Sequence, residues 1–201
     1  MRADDWRLNI PPGSTPLDDE AALGLKPSWV STRGDLNAVE QTNIHEARML
    51  QKWQSPTSAY ILDDLTMRNL HRDMFCDVWT WAGTYRIRDT NIGVGWERIS
   101  TDVRILVDNT QAWMESDLAI PTDEIAYRFH HQLVCIHPFP NGNGRHAREA
   151  ADLLLKSLGS SPFSWGGDRL EVASSVRDRY ISALRSADTG YFAPLADFVR
   201  S

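Results

Sequence analysis

One stretch constrains this chain more than any other: His137-Pro138-Phe139-Pro140-Asn141-Gly142-Asn143-Gly144-Arg145-His146-Ala147-Arg148. It lies between two apolar patterns at helical spacing, Ile125, Ala126, Phe129, Leu133, Val134 and Ile136 before it, and Ala151, Leu154, Leu155 and Leu158 after it. Pro138 lacks a backbone donor and disfavours helical angles at the residue before it, so the first helix must stop at His137. Gly142 and Gly144 let main-chain N–H groups come close to a ligand. A loop of this kind running into a helix presents unpaired N–H donors and the positive end of a helix dipole, which suits an anion. Arg145 and Arg148, three residues apart, add positive charge to neighbouring parts of the same turn. The stretch reads as a phosphate cradle with a histidine at its lip.

These residues resemble the motif of the Fic family, His-x-Phe-x-Asp/Glu-Gly-Asn-Gly-Arg-x-x-Arg. His137, Phe139, Gly142, Asn143, Gly144, Arg145 and Arg148 match it, and Asn141 stands where most members carry an acid. The wider texture resembles the subfamily called mobile mystery protein B. The resemblance implies an all-α, Fic-like helical bundle with a small β-hairpin flap before the motif helix. It also implies transfer of AMP from ATP to a Ser, Thr or Tyr hydroxyl of a target protein. His137 would be the general base, a role that an imidazole can fill near neutral pH. Arg145 would stabilise charge at the reacting centre. Gly142, Asn143, Gly144, Arg145 and Arg148 would hold the nucleotide, with Arg148 on the γ-phosphate.

The family's acid helps to hold Mg²⁺, so Asn141 would be the metal-side residue here, with an amide oxygen in place of a carboxylate. The flap, whose counterpart is Asp89 to Ile99, would hold the target protein by main-chain pairing. Many family members carry an inhibitory helix with Ser/Thr-x-x-x-Glu-Gly/Asn. Leu36 to Gln41 retains only its glutamate, which makes Glu40 a candidate inhibitory partner of Arg148. A helix-turn-helix protein from the same locus is the partner that the subfamily implies. The alternative to an enzyme is a nucleotide-binding regulatory module with weak or lost chemistry, part of a toxin-antitoxin-like pair.

Composition narrows the setting. A net charge of -6 gives no overall attraction to nucleic acid or an anionic membrane, so no direct nucleic-acid binding is expected and any phosphate affinity must be local. The segment Met1 to Glu20 is acidic and has no apolar run, and no stretch approaches the length of a membrane span. The expected location is cytoplasmic. Cys76 and Cys135 give neither a disulfide framework nor a zinc site by spacing, and both read as small core residues. Metal hydrolysis by His130, His131, His137 and His146 lacks the His-Glu-x-x-His spacing it would need. The eight tryptophans read as packing residues.

In chain order, residues 1–34 are expected to form an N-terminal arm with a short helix, and residues 35–201 the Fic-like domain. Pro11-Pro12-Gly13 marks irregular chain, and Thr15, Pro16, Asp18 and Asp19 start a helix that stops before Gly24. Asp35 reads as the cap of a helix that runs to about Trp53, and a further helix ends near Phe75. Tyr85-Arg86-Ile87-Arg88 alternates with period two before the glycines at 93 and 95, which predicts a hairpin. Ser100 reads as the cap of the next helix. Beyond Gly159 and a loop over 160–168, two helices follow, one carrying Ala173, Val176, Tyr180, Ile181 and Leu184, the other spanning Pro194 to Val199.

Overall fold

The computed structural model describes residue 16 and residues 19–167 and 174–201; the expectations for Pro11-Pro12-Gly13, Thr15, Asp18, Asp168 and Ala173 lie outside these. Among the described residues the elements are α1 (Asp19–Leu23), α2 (Arg33–Met49), α3 (Ser58–Ile61), α4 (Asp64–Phe75), α5 (Ile99–Met114), α6 (Thr122–Ile136), α7 (Asn143–Ser157), α8 (Ser174–Ala187) and α9 (Ala193–Val199). Short 3-10 turns cover Gln51–Trp53 and Trp96–Arg98.

The helices start where local chemistry satisfies their free N–H groups, and two starts differ from the sequence expectation. Thr32, not Asp35, caps α2: the Asp35 N–H donates to the Thr32 hydroxyl at 3.1 Å, and the Asp35 carboxylate accepts from the Thr32 N–H at 2.9 Å. This reciprocal pair places Asp35 inside the first turn. Ser100 is likewise internal, because the 3-10 turn at Trp96–Arg98 feeds directly into α5. Asp63 caps α4 through the Thr66 N–H at 2.9 Å.

The core is one cluster. α2 packs on α4, α6 packs on both α5 and α7, and α8 packs on α9. Ala147, Ala150 and Ala151 are fully buried on α7, so that helix can come close to α6, where Phe129 and Leu133 are equally enclosed. Trp53, Trp79 and Trp165 are buried, each indole N–H donating to a carboxylate, of Asp73, Glu40 and Asp152 respectively. Trp29 and Trp96 are exposed.

The β-hairpin flap is not present. No strand occurs among the described residues, which contain one isolated bridge between Leu25 and Trp79. The segment from Asp89 to Ile99 is a looped chain ending in the 3-10 turn, with the Trp96 N–H donating to the Asp89 carboxylate at 2.9 Å. The period-two pattern fails for a physical reason: Arg86 turns inward at 5% exposure while Ile87 is 66% exposed, the reverse of what an alternating apolar face requires.

Candidate active site

α6 ends at His137, whose backbone is left-handed at φ 55°, and α7 begins after Gly142, left-handed at φ 77°. A side chain at Gly142 would put its Cβ 2.7 Å from the Phe75 ring, so the loop passes too close to the core for any other residue. Phe139 is fully buried and stacks on His71, ring centroids 3.7 Å apart, with His146 edge-on at 4.9 Å. His71 itself is bound at both nitrogens. The Gly83 N–H donates to Nδ1 at 3.0 Å, which leaves the proton on Nε2 to donate to the Asn141 carbonyl, also at 3.0 Å. Burial holds the His71 pKa well below the ordinary histidine value and lowers that of His146 to about 4. Both rings are neutral packing and hydrogen-bonding groups.

Asn143 closes the loop on itself. Its side-chain oxygen accepts from the Phe139 N–H at 2.9 Å and its amide donates to the Phe139 carbonyl at 2.7 Å. At 3% exposure its side chain shapes the cradle, and its contribution to an anion would come from the backbone N–H at the start of α7.

The carboxyl end of α6 is held by a residue that sequence reasoning did not single out. Arg86 is buried; its Nε donates to the His137 carbonyl at 2.7 Å, its Nη2 to the carbonyls of Val94 and Ile136, and its backbone N–H to Pro138 at 2.9 Å. A cation at a helix carboxyl terminus meets the negative end of the dipole. The side chain therefore fastens residues 86–94 to the turn that carries His137. Gly93 completes the fit, since a Cβ there would fall 2.7 Å from that of His137. Burial, with a smaller contribution from the Arg86 charge, lowers the His137 pKa to about 4. The imidazole is neutral at physiological pH.

The cradle opens into a cleft of about 330 Å³. His137, Asn141, Gly142, Asn143, Gly144, Arg145 and Arg148 all line it, so the candidate catalytic and nucleotide-binding residues share one wall. The lining also includes Arg33 and Asn37 from α2 and Arg177 and Tyr180 from α8; of these the sequence had marked only Tyr180, as a helix-packing residue. The Arg148 guanidinium lies 5.7 Å over the Tyr180 ring. Glu40 is 2% exposed; its carboxylate accepts from the Trp79 indole at 2.8 Å and pairs with Arg145 at 2.9 Å, which brings it to the first motif arginine. Asn141 offers a neutral oxygen that accepts from the Gly142 N–H at 2.7 Å. Among the described residues the cleft wall includes one carboxylate, Asp188 on its α8 side, so the cradle supplies no charged ligand suited to Mg²⁺.

The sequence model of the Fic/DOC family matches residues 61–155, from the last residue of α3 to the last turn of α7. "Probable protein adenylyltransferase y4lH" of Sinorhizobium fredii is 30% identical over 148 residues, covering 69% of this chain and 72% of that protein. The chain belongs to the Fic/DOC family. A second relative of this Fic chain, "Protein adenylyltransferase fic-1" of Caenorhabditis elegans, is 31% identical over 122 residues, 57% of the chain. The Fic chain spans 22% of the length of that relative. Among solved structures, the BepC protein of Bartonella tribocorum with bound AMPPNP shares the fold, at a TM-score of 0.64 and 16% identity over 96% of this chain and 95% of its own. No helix among the described residues of the Fic chain is long and apolar enough to cross a membrane.

Proposed function

We propose that this Fic-family chain is a protein adenylyltransferase that transfers AMP from ATP to a Ser, Thr or Tyr hydroxyl of a target protein. The observation that carries the reading is the convergence of His137 and the Gly142 to Arg148 cradle on one cleft. The hydroxyl oxygen attacks the α-phosphorus, the bond to the bridging oxygen breaks, pyrophosphate leaves, and the hydroxyl proton passes to His137. The first N–H groups of α7, with Arg145 and Arg148, stabilise the charge on the phosphates. A pKa near 4 keeps the base deprotonated before substrate arrives, and the negative charge of a bound nucleotide would raise it toward the working range. Magnesium, which the family resemblance implies, finds no carboxylate at Asn141, whose neutral amide oxygen would be the motif's side-chain donor to it. The target would dock along residues 89–99, beside His137.

A second reading rests on the buried Glu40 to Arg145 pair. It occupies an arginine that the phosphates need, so the resting chain would be a restrained, nucleotide-binding regulatory module. The resemblance to the mobile mystery protein B subfamily would give such a module a helix-turn-helix protein from the same locus as partner. A cytoplasmic location would give the reaction its ATP.

The deciding experiment incubates the purified chain, its His137→Ala variant and its Glu40→Gln variant with α-labelled ATP and a bacterial lysate. Labelled protein that falls about 10²-fold or more in His137→Ala supports transfer with His137 as base. Label that rises in Glu40→Gln supports the restraint. ATP binding by calorimetry, with no label from either the parent or Glu40→Gln, would replace the transferase reading with the regulatory one.

A further inference from the structure

The cleft wall carries a second chemical cluster that the proposed transfer does not use. His131 and Cys135 lie four residues apart on one face of α6, and Asp188 lies just beyond the end of α8. His131 Nε2 is 2.8 Å from Asp188 Oδ1, Cys135 Sγ is 3.5 Å from His131 Nε2, and Cys135 Sγ is 3.6 Å from Asp188 Oδ1. All three residues line the cleft, and on α6 the helical rise puts His131 roughly 9 Å and Cys135 roughly 3 Å before His137.

An imidazole nitrogen, a sulfur and a carboxylate oxygen are the ligand types that zinc takes. Ordinary zinc bond lengths in a tetrahedron set ligand-to-ligand edges of roughly 3.4 to 3.6 Å. Both edges that meet at the sulfur already have that length. The third is shorter because a hydrogen bond joins imidazole and carboxylate, and it needs to open by only about 0.6 Å to admit an ion. His131 is buried, whereas the Asp188 side chain is 54% exposed and free to make that adjustment.

We propose that His131 Nε2, Cys135 Sγ and Asp188 Oδ1 bind one Zn²⁺ ion, whose fourth ligand position opens to the cleft. Binding breaks the S–H bond and forms the Zn–S bond, the thiol proton passing to solvent; it also displaces the proton that His131 Nε2 gives to Asp188, leaving the ring protonated at Nδ1 with its Nε2 lone pair on the ion. The thiol, pushed up to about 12 chiefly by burial and then by Asp188, is protonated beforehand, and the carboxylate that opposes a free thiolate becomes a partner of the ion. The bound ion ties the end of α8 to α6, an effect that does not depend on AMP transfer.

The test uses the purified, untagged chain freed of metal and titrated with Zn²⁺ in a calorimeter and with Co²⁺ in a spectrophotometer. One equivalent is expected, with a thiolate-to-cobalt charge-transfer band that disappears in Cys135→Ser. Affinity for Zn²⁺ is expected to fall more than about tenfold in Cys135→Ser and in Asp188→Asn, and to stay unchanged in Cys76→Ser. Asp188→Asn alters an exposed side chain, so it keeps the test decisive if changes on α6 impair folding. No charge-transfer band in the parent, or a Zn²⁺ affinity indifferent to both Cys135→Ser and Asp188→Asn, would overturn the site.

Discussion

Two neighbouring loops, residues 137–142 and residues 87–98, are tied together by Arg86 and otherwise share little. The first is enclosed: His137, Phe139 and the adjoining Asn143 are buried, and its polar groups are bonded to Arg86, His71 and Asn143. The second is mostly exposed, with Ile87 and Trp96 turned to solvent and only Thr90, Ile92 and Val94 partly covered. The contrast follows from the tasks of the two loops in the proposed reaction. A base and a phosphate cradle must keep their geometry to a fraction of an ångström, which packing and saturated hydrogen bonds provide. A surface that receives a protein keeps apolar side chains available.

Breaking the enclosed loop should have the largest effect. Phe139→Ala empties the space between His71 and His146 and should cost about 3–5 kcal/mol in denaturant unfolding, with loss of transfer. A cost below about 1 kcal/mol would show that the stack does not hold the loop. Arg86→Met keeps much of the volume but leaves the carbonyls of Ile136, His137 and Val94 without their charged donor. About 1–3 kcal/mol should be lost, together with a fall in labelling larger than the fall in ATP affinity. Unchanged labelling would separate the His137 turn from its tether.

Acid should also act first on the enclosed side. His130, His137 and His146 have pKa values lowered to about 3, 4 and 4, and that of His71 lies well below the ordinary value. The unfolded chain therefore binds more protons below about pH 6.5, and stability present above that value is lost as pH falls toward 4. Asp152, raised from 3.8 to about 6 chiefly by burial, works in the opposite sense, its contribution being present at low pH and lost as pH rises through 6. Four histidines outweigh one carboxyl, so the melting temperature should fall between about pH 7 and 5. A constant melting temperature would mean that the histidines are not the dominant buried groups. The smallest effect belongs to the exposed loop. Trp96→Ala should stay within about 0.5 kcal/mol in stability and leave ATP binding unchanged, while labelling of the target falls. Equal labelling would move the docking surface elsewhere.

Much of this molecule follows from local patterns in the chain. Apolar spacing located α2 and α4 to α8, and Pro138 with Gly142 marked the turn between α6 and α7, because helix periodicity and backbone sterics act over a few residues. The residues that line the cradle from His137 to Arg148 were legible for the same reason, being contiguous. Exact starts were less so: Thr32 displaced Asp35 as a cap because the two side chains bond reciprocally, and either alone would have looked sufficient. Other features were decided only by the folded chain. Arg86 goes inward and Ile87 outward because the carbonyls at the end of α6, fifty residues later, need a donor more than the core needs another isoleucine. Glu40 meets Arg145 across 105 positions, His71 receives Phe139, and Asp188 joins His131 and Cys135. Such meetings depend on how helices pack, and packing is a property of the whole chain.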